Sequence, residues 1–124
     1  MDQLVSVMIL DDEPIVCERL RSTLEKVNLD IETFTDTNEA IKRFAEKKFQ
    51  VLVTDLKMKE LDGIEVLNLV QKVSPETKVI IITGFATVEK AKEALKKGAH
   101  DFIAKPFKLS QLRDLVIKAL ESPS

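Results

Sequence analysis

The sequence predicts an α/β domain: a doubly wound, mostly parallel sheet of five strands with five helices on both faces. Three observations carry that reading. Short runs rich in Val, Ile and Leu alternate with longer stretches whose apolar residues recur at helical spacing. The strand runs are largely apolar throughout, as strands covered on both faces must be. Four of the runs stop at residues with chemistry to offer: Asp11-Asp12-Glu13, Asp55, Thr83-Gly84 and Lys105-Pro106. In open α/β sheets the carboxyl ends of the strands, at the topological switch point, are where ligands bind.

The elements follow in order. Leu4 to Leu10 is the first strand and ends at the acidic run. Pro14 to Val27 places Val16, Leu20, Leu24 and Val27 on one face with Cys17 beside them, and Glu18, Arg19, Ser22 and Lys26 opposite. Asp12 is placed to cap this helix, and Pro14 lies near its first turn, where a missing N–H costs nothing. Asp30 to Thr35 is a short second strand with Ile31 and Phe34. Thr37 to Lys48 is a helix burying Ala40, Ile41 and Phe44. Phe49 to Thr54 is the third strand, ending at Asp55. Asp62 to Val73 is a helix over Val66, Leu67, Val70 and Val73, with Asp62-Gly63 as its cap and Ser74-Pro75 at its close. Lys78 to Thr83 is the fourth and most apolar strand. Thr87 to Lys97 is a helix with a thin stripe of Val88, Ala91, Ala94 and Leu95, stopped by Gly98. Phe102 to Ala104 is the fifth strand, and Ser110 to Leu120 the last helix, burying Leu112, Leu115, Val116 and Ala119. The domain is expected to span 1–121, with 122–124 a tail or the start of a linker.

Composition narrows the function. With 124 residues, 44% of them hydrophobic, the chain supports one core. Its single cysteine, Cys17, excludes an intrachain disulfide and reads as a small buried hydrophobe. The N-terminus lacks the pattern of a signal peptide, and the longest unbroken apolar run is four residues, so no membrane span is expected and the cytoplasm is the natural location. A net charge of −2 is not that of an autonomous nucleic-acid binder. One Cys and one His, His100, rule out a Cys/His metal site. No Gly-x-Ser-x-Gly, G-x-G-x-x-G or G-x-x-x-x-G-K occurs, which argues against a serine hydrolase and a nucleotide site.

The strand ends form a coherent set: carboxylates from two strands, a hydroxyl on a third and an ammonium on a fourth. Each piece alone has a plain explanation, as a helix cap, a polar strand end or a turn. Together they suit phosphoryl transfer. Clustered carboxylates call for a cation, and hard oxygen ligands favour Mg²⁺ or a similar ion. A carboxylate can also attack phosphorus to form an aspartyl phosphate, a reaction that asks mainly for positioning and neutralised charge.

Over nearly its whole length the chain resembles the receiver domains of two-component response regulators. The matching stretches are Met8-Ile-Leu-Asp-Asp-Glu-Pro14, Val53-Thr-Asp-Leu-Lys-Met58 with Asp62-Gly63, Ile82-Thr-Gly84, and Phe102-Ile-Ala-Lys-Pro-Phe107. The resemblance implies a flavodoxin-like strand order of 2-1-3-4-5. It implies Asp55 as phosphoacceptor and a metal site for Mg²⁺ or Mn²⁺ made by Asp11, Asp12, Asp55 and the backbone carbonyl of Lys57. It further implies Lys105 on the phosphoryl group, Thr83 and Phe102 as a switch pair, and Pro106 following Lys105 through a cis peptide.

The implied partners are a sensor histidine kinase or phosphotransfer protein, and an output domain or second copy meeting the face of the fourth helix, fifth strand and fifth helix. Thr83-Gly84-Phe85-Ala86 is most similar to receivers of enhancer-dependent transcription activators. Lys59 departs from the family, which often has proline there. Ile15 and Ile117 fall on otherwise polar helix faces, and Ile15, Pro106 and Phe107 are read as a kinase-docking patch. Two alternatives stand beside this reading. One is an aspartyl-phosphate phosphatase, disfavoured because Lys57 stands where such enzymes often carry a second acid. The other is an interaction module that works without phosphorylation.

Overall fold

The computed structural model describes residues 5–56, 63–84 and 88–122. Among these residues the chain alternates strand and helix: β1 (Ser6–Leu10), α1 (Pro14–Glu25), β2 (Asp30–Phe34), α2 (Thr37–Glu46), β3 (Val51–Asp55), α3 (Gly63–Val73), β4 (Lys78–Thr83), α4 (Val88–Lys96), β5 (Asp101–Ala104) and α5 (Leu109–Glu121). All strand pairings are parallel, and the order is β2-β1-β3-β4-β5. The chain therefore winds one way from β1 to β2 and the other way from β3 onward, which puts the switch point between β1 and β3. No helix among the described residues is long and apolar enough to cross a membrane.

Strand side chains alternate between two cores. Met8, Leu10, Leu52, Val79 and Ile81 point to the side packed by Ala40 and Phe44 of α2, Val66, Leu67 and Val70 of α3, and Ala91 and Ala94 of α4. Val7, Ile9, Val51, Val53, Ile80 and Ile82 point to the other side, against Cys17, Leu20 and Leu24 of α1 and Leu112, Val116 and Ala119 of α5. Val7, Ile9, Leu10, Leu52, Val53, Ile80 and Ile81 are almost wholly buried, which accounts for strands that read as apolar on every residue.

Among the described residues, α2 and α4 end as local chemistry directs, and α1 departs from the expected cap. Asp36 caps α2, its carboxylate accepting from the Asn38 and Glu39 N–H groups at 2.8 and 3.4 Å. Gly98 follows α4 at φ +114°, a conformation other residues rarely adopt. Asp12 does not cap α1: the cap position is Glu13, with no side-chain bond, and the Glu13 N–H is taken by Asp11 Oδ1 at 2.9 Å. The apolar stripes are also narrower than their spacing suggests. Leu95 and Val73 are exposed, because Ala91 and Ala94 alone bring α4 down onto the sheet and Val73 closes α3 at its outer end. Ile41 and Leu115 are only half-buried, and Val27 lies beyond the end of α1. Ile117 is half-buried rather than exposed on the polar side of α5.

Both outer features of β2 are tied down. On α1, the Arg21 guanidinium donates to the Ile31 carbonyl at 2.9 Å. Arg43 on α2 and Lys47 just past its end grip Glu32 at 2.8 Å each, and Lys47 also holds Asp30 at 2.6 Å while lying 5.4 Å from the Phe49 ring centre. Across the sheet, Lys78 at the start of β4 donates to the Ala119 carbonyl at 3.1 Å and to that of Ser122, so a cation sits on the C-terminal carbonyls of α5.

The Arg43 hydrogen bond, reinforced by Lys47 against partial burial, holds the Glu32 carboxyl at about 2 instead of the usual 4.5. A depressed carboxylate contributes stability that is complete above its unfolded value and is lost as pH falls through the folded one. The stability gap between the wild type and Glu32→Gln, measured by chemical denaturation, is expected to be widest at neutral pH. It should narrow below about 4.5 and close near 2. A gap of constant width would show that the pair contributes nothing.

Candidate functional site

The carboxyl ends of the strands lie along one side of the sheet, around the switch point, and backbone hydrogen bonds there tie neighbouring strands together. The Asp11 N–H donates to the Phe34 carbonyl at 3.1 Å, Leu56 N–H to Ile82 at 2.9 Å, and Lys105 N–H to Thr83 at 2.8 Å. The frame is thus set by ladder bonds before any side chain is considered. The Lys105–Pro106 peptide is cis.

Asp11 is completely buried, and most of its atoms are spoken for. Its N–H bonds Phe34, its carbonyl accepts from the Cys17 thiol at 3.5 Å, and Oδ1 takes the Glu13 N–H. Only Oδ2 is left, buried and without a hydrogen-bond partner. Burial pushes the Asp11 carboxyl up to about 6; the Glu13 N–H opposes that rise, the Asp55 charge adds to it and Lys105 subtracts. Carboxylate oxygens of Asp11, Asp12 and Glu13 lie within 4.8 Å of one another. Glu13 is the member that residue-by-residue reading missed. It was visible only as the third acid of a run, and its approach to the other two depends on how the chain turns into α1.

Asp55 ends β3 almost wholly buried, and Lys105 reaches it from the end of β5, Nζ to Oδ2 at 3.2 Å. The Lys105 ammonium is held above its ordinary value: burial works against it, but Asp55 overcomes burial through charge and hydrogen bonding, with help from Asp11. Thr83, completely buried, donates from Oγ1 to the Gly84 carbonyl at 3.1 Å. Phe102 is half-buried against the core on the α3/α4 side. It pairs in register with Ile81, two residues before Thr83, and so shares that residue's sheet face. Lys57, Lys59, Asp62, Phe85 and Ala86 lie outside the described residues. Ile15 is 56% exposed at the start of α1, Pro106 is exposed, and Phe107 is half-buried against the α1/α5 core. His100 is exposed and Cys17 buried.

Gly63 has a role that its reading as part of a helix cap does not capture. A Cβ there would stand 2.8 Å from Leu56 Cα and 3.0 Å from the Asp55 carbonyl oxygen. Its N–H bonds the Leu56 carbonyl at 2.6 Å. Glycine lets α3 start against the backbone that carries Asp55.

Fold and site together define a doubly wound signalling-type domain with an acid–lysine centre at its switch point. The family model for the response regulator receiver domain matches residues 7–117, and the chain belongs to that family. It is a receiver domain of the two-component type, not a conventional enzyme turning over an external substrate. It is 36% identical over 113 residues to response regulator protein PilR of Pseudomonas aeruginosa, covering 91% of this chain and 25% of PilR. It is 34% identical over 120 residues to the C4-dicarboxylate transport transcriptional regulatory protein DctD of the same organism, covering 97% of this chain and 26% of that one. The chain thus spans about a quarter of the length of these curated relatives. Among solved structures, the receiver domain of NtrX from Brucella abortus superimposes with a TM-score of 0.88 at 28% identity, covering 94% of this chain and 99% of that one. A receiver domain protein from Clostridium thermocellum does so at 0.89 and 28%, covering 94% of each.

An acid whose folded value is raised destabilises the fold once ionised. Stability is greatest below the unfolded value and falls as pH climbs through the folded one. In cation-free buffer, the wild type is expected to lose stability relative to Asp11→Asn as pH rises from 3.8 to about 6. The loss should be of order 3 kcal/mol. Parallel denaturation curves of the two proteins check this; a gap independent of pH would contradict it.

Proposed function

We propose that this domain accepts a phosphoryl group on Asp55 from the phosphohistidine of a sensor kinase or phosphotransfer protein, and that the resulting acyl phosphate switches its α4–β5–α5 face. The observation that carries this is the Asp55–Lys105 pair beside the unsatisfied Oδ2 of Asp11. A fully buried carboxylate oxygen with no donor, in a cluster of three acids, is the environment a hard divalent cation relieves.

Mg²⁺ fits these residues: held by Asp11, Asp12 and Asp55, with the Lys57 carbonyl as a further ligand, it would supply positive charge to the carboxylates and the phosphoryl oxygens. Glu13 adds a third acid to the same cluster. The remaining work falls to the chain's own side chains. An Asp55 carboxylate oxygen attacks phosphorus, the new O–P bond forms, and the N–P bond of the phosphoimidazole breaks with its electron pair going to the ring nitrogen. Lys105 moves from pairing with Asp55 to neutralising the transferred group. Thr83 exchanges its bond to the Gly84 carbonyl for one to a phosphoryl oxygen, and Phe102 turns into the space beside it. Hydrolysis of the acyl phosphate resets the domain.

The α4 helix is anchored by two alanines, so little apolar area is lost when it shifts. The altered face would meet an output domain or a second copy. Relatives four times longer, some named as transcriptional regulators, are the precedent for an output domain. A phosphohistidine donor places the domain in the cytoplasm. Ile15 at the start of α1, with Pro106 and Phe107 in the loop before α5, forms the docking patch for that donor.

Incubation with acetyl phosphate and Mg²⁺ is expected to add one phosphoryl group by intact mass to the wild type, and none to Asp55→Asn or in excess EDTA. No gain in wild type under conditions where it is folded would count against phosphoacceptance. Ile15→Asp is expected to slow transfer from the kinase by about tenfold or more, in line with the loss of an interface anchor. Transfer from acetyl phosphate should be unchanged, and equal slowing with both donors would remove the docking patch.

A further inference from the structure

The residue before the phosphoacceptor is unexpected for its position. Thr54 lies on the strand face that carries Leu52, and its register partners are Leu10 on β1 and Ile81 on β4. It is completely buried on the side of the sheet that packs against α2, α3 and α4. Valine has the same branched shape, suits a buried strand, and brings no hydroxyl to satisfy. The hydroxyl Thr54 keeps there has one described partner, the carbonyl of Asp55 at 3.1 Å.

That carbonyl belongs to the peptide joining Asp55 to Leu56. The other end of the same peptide, the Leu56 N–H, donates to Ile82 on β4 at 2.9 Å. Gly63 closes the remaining side, since even a methyl group there would reach within 3.0 Å of the Asp55 oxygen. The peptide plane leaving Asp55 is therefore held at its oxygen by Thr54, at its nitrogen by β4, and flanked by the start of α3. The direction of that plane sets where the Asp55 side chain points and how the chain proceeds toward residue 57.

We propose that Thr54 is a positioning residue for the phosphoacceptor: its hydroxyl, retained at an apolar core position, locks the Asp55 peptide so that the carboxylate stays opposed to Lys105. This rests on the reading of Asp55 as phosphoacceptor. Thr83, the equally buried threonine on the same face of the neighbouring strand, makes the matching bond to its own following carbonyl. Thr83, the last residue of β4, can leave its bond for a phosphoryl oxygen, whereas Thr54, inside β3 between Leu10 and Ile81, keeps its own.

The test compares Thr54→Val, which removes only the hydroxyl, with Thr54→Ser, which keeps it. Thr54→Val is expected to match or exceed the wild type in thermal midpoint, while its phosphorylation rate with acetyl phosphate at saturating Mg²⁺ falls about tenfold, the scale of a small misplacement of a reacting group. Thr54→Ser should recover most of the rate although it loses a buried methyl. A Thr54→Val rate within about twofold of wild type, or equal losses in both variants, would overturn the proposal. The carboxyl ¹³C resonance of Asp55 provides a readout independent of phosphoryl transfer. It should move in Thr54→Val and return in Thr54→Ser. If the wild type takes no phosphoryl group, the phosphoacceptor reading fails, while this resonance still decides whether Thr54 sets the carboxylate.

Discussion

Asp11 brings a carboxylate to a place where water does not reach, and fixes every polar atom it has except one oxygen. Most of the molecule can be understood from that constraint. The acid must be held rigidly, which β1, the Phe34 carbonyl, the Cys17 thiol and the turn into α1 all do. It must also be offset, and among the described residues the cation that bears on it is Lys105, on the far strand of the sheet and already engaged with Asp55. Among the described residues one ammonium is shared by several carboxylates, which leaves negative charge in excess. A divalent cation among these carboxylates would supply the positive charge that the described side chains lack.

Parallel strands of this kind suit such a centre. Each strand contributes one residue at its carboxyl end, and the ladder spacing sets their separation without reference to the helices. The two cores above and below the sheet make that spacing hard to change, because the strand residues behind the site are almost fully buried. By contrast, the elements expected to respond to phosphorylation sit at the less densely packed margin. α4 rests on alanines, and all four residues of β5 are only half-buried. Rigidity at the centre and slack at the edge come from the same sheet.

Much of this was readable from the residues. The alternation of elements, the four strand ends and their chemical kinds follow from hydrophobic pattern alone, and the structure places them as the pattern requires. What could not be read depends on contacts between distant segments. An aspartate just before a helix looks like a cap, yet Asp12 is not one, because the helix begins a residue later and Glu13 takes the cap position. Leu95 belongs to an apolar stripe in sequence, but alanines decide how closely α4 approaches. Gly63 reads as turn punctuation, and only the packing of α3 on Leu56 reveals that it is there for want of a side chain. Thr54 passes as an ordinary strand threonine until its burial and its hydrogen bond to the Asp55 carbonyl are known.

The Arg21 bond to Ile31 bears on the behaviour of the molecule in a crowd. β2 is a terminal strand of the sheet, and the Asp30 N–H and Phe34 carbonyl face β1, so alternation turns the Ile31 carbonyl outward. An open strand edge of this kind is a template on which another chain can add itself. Arg21 occupies one of its acceptors with a charged group, and Asp30, Glu32, Arg43 and Lys47 surround the same strand with charge. A foreign strand aligning there would have to displace a guanidinium and strip water from several ions. Charge placed along β2 thus does for this edge what a covering element does elsewhere: it denies a stray strand a ready place to join.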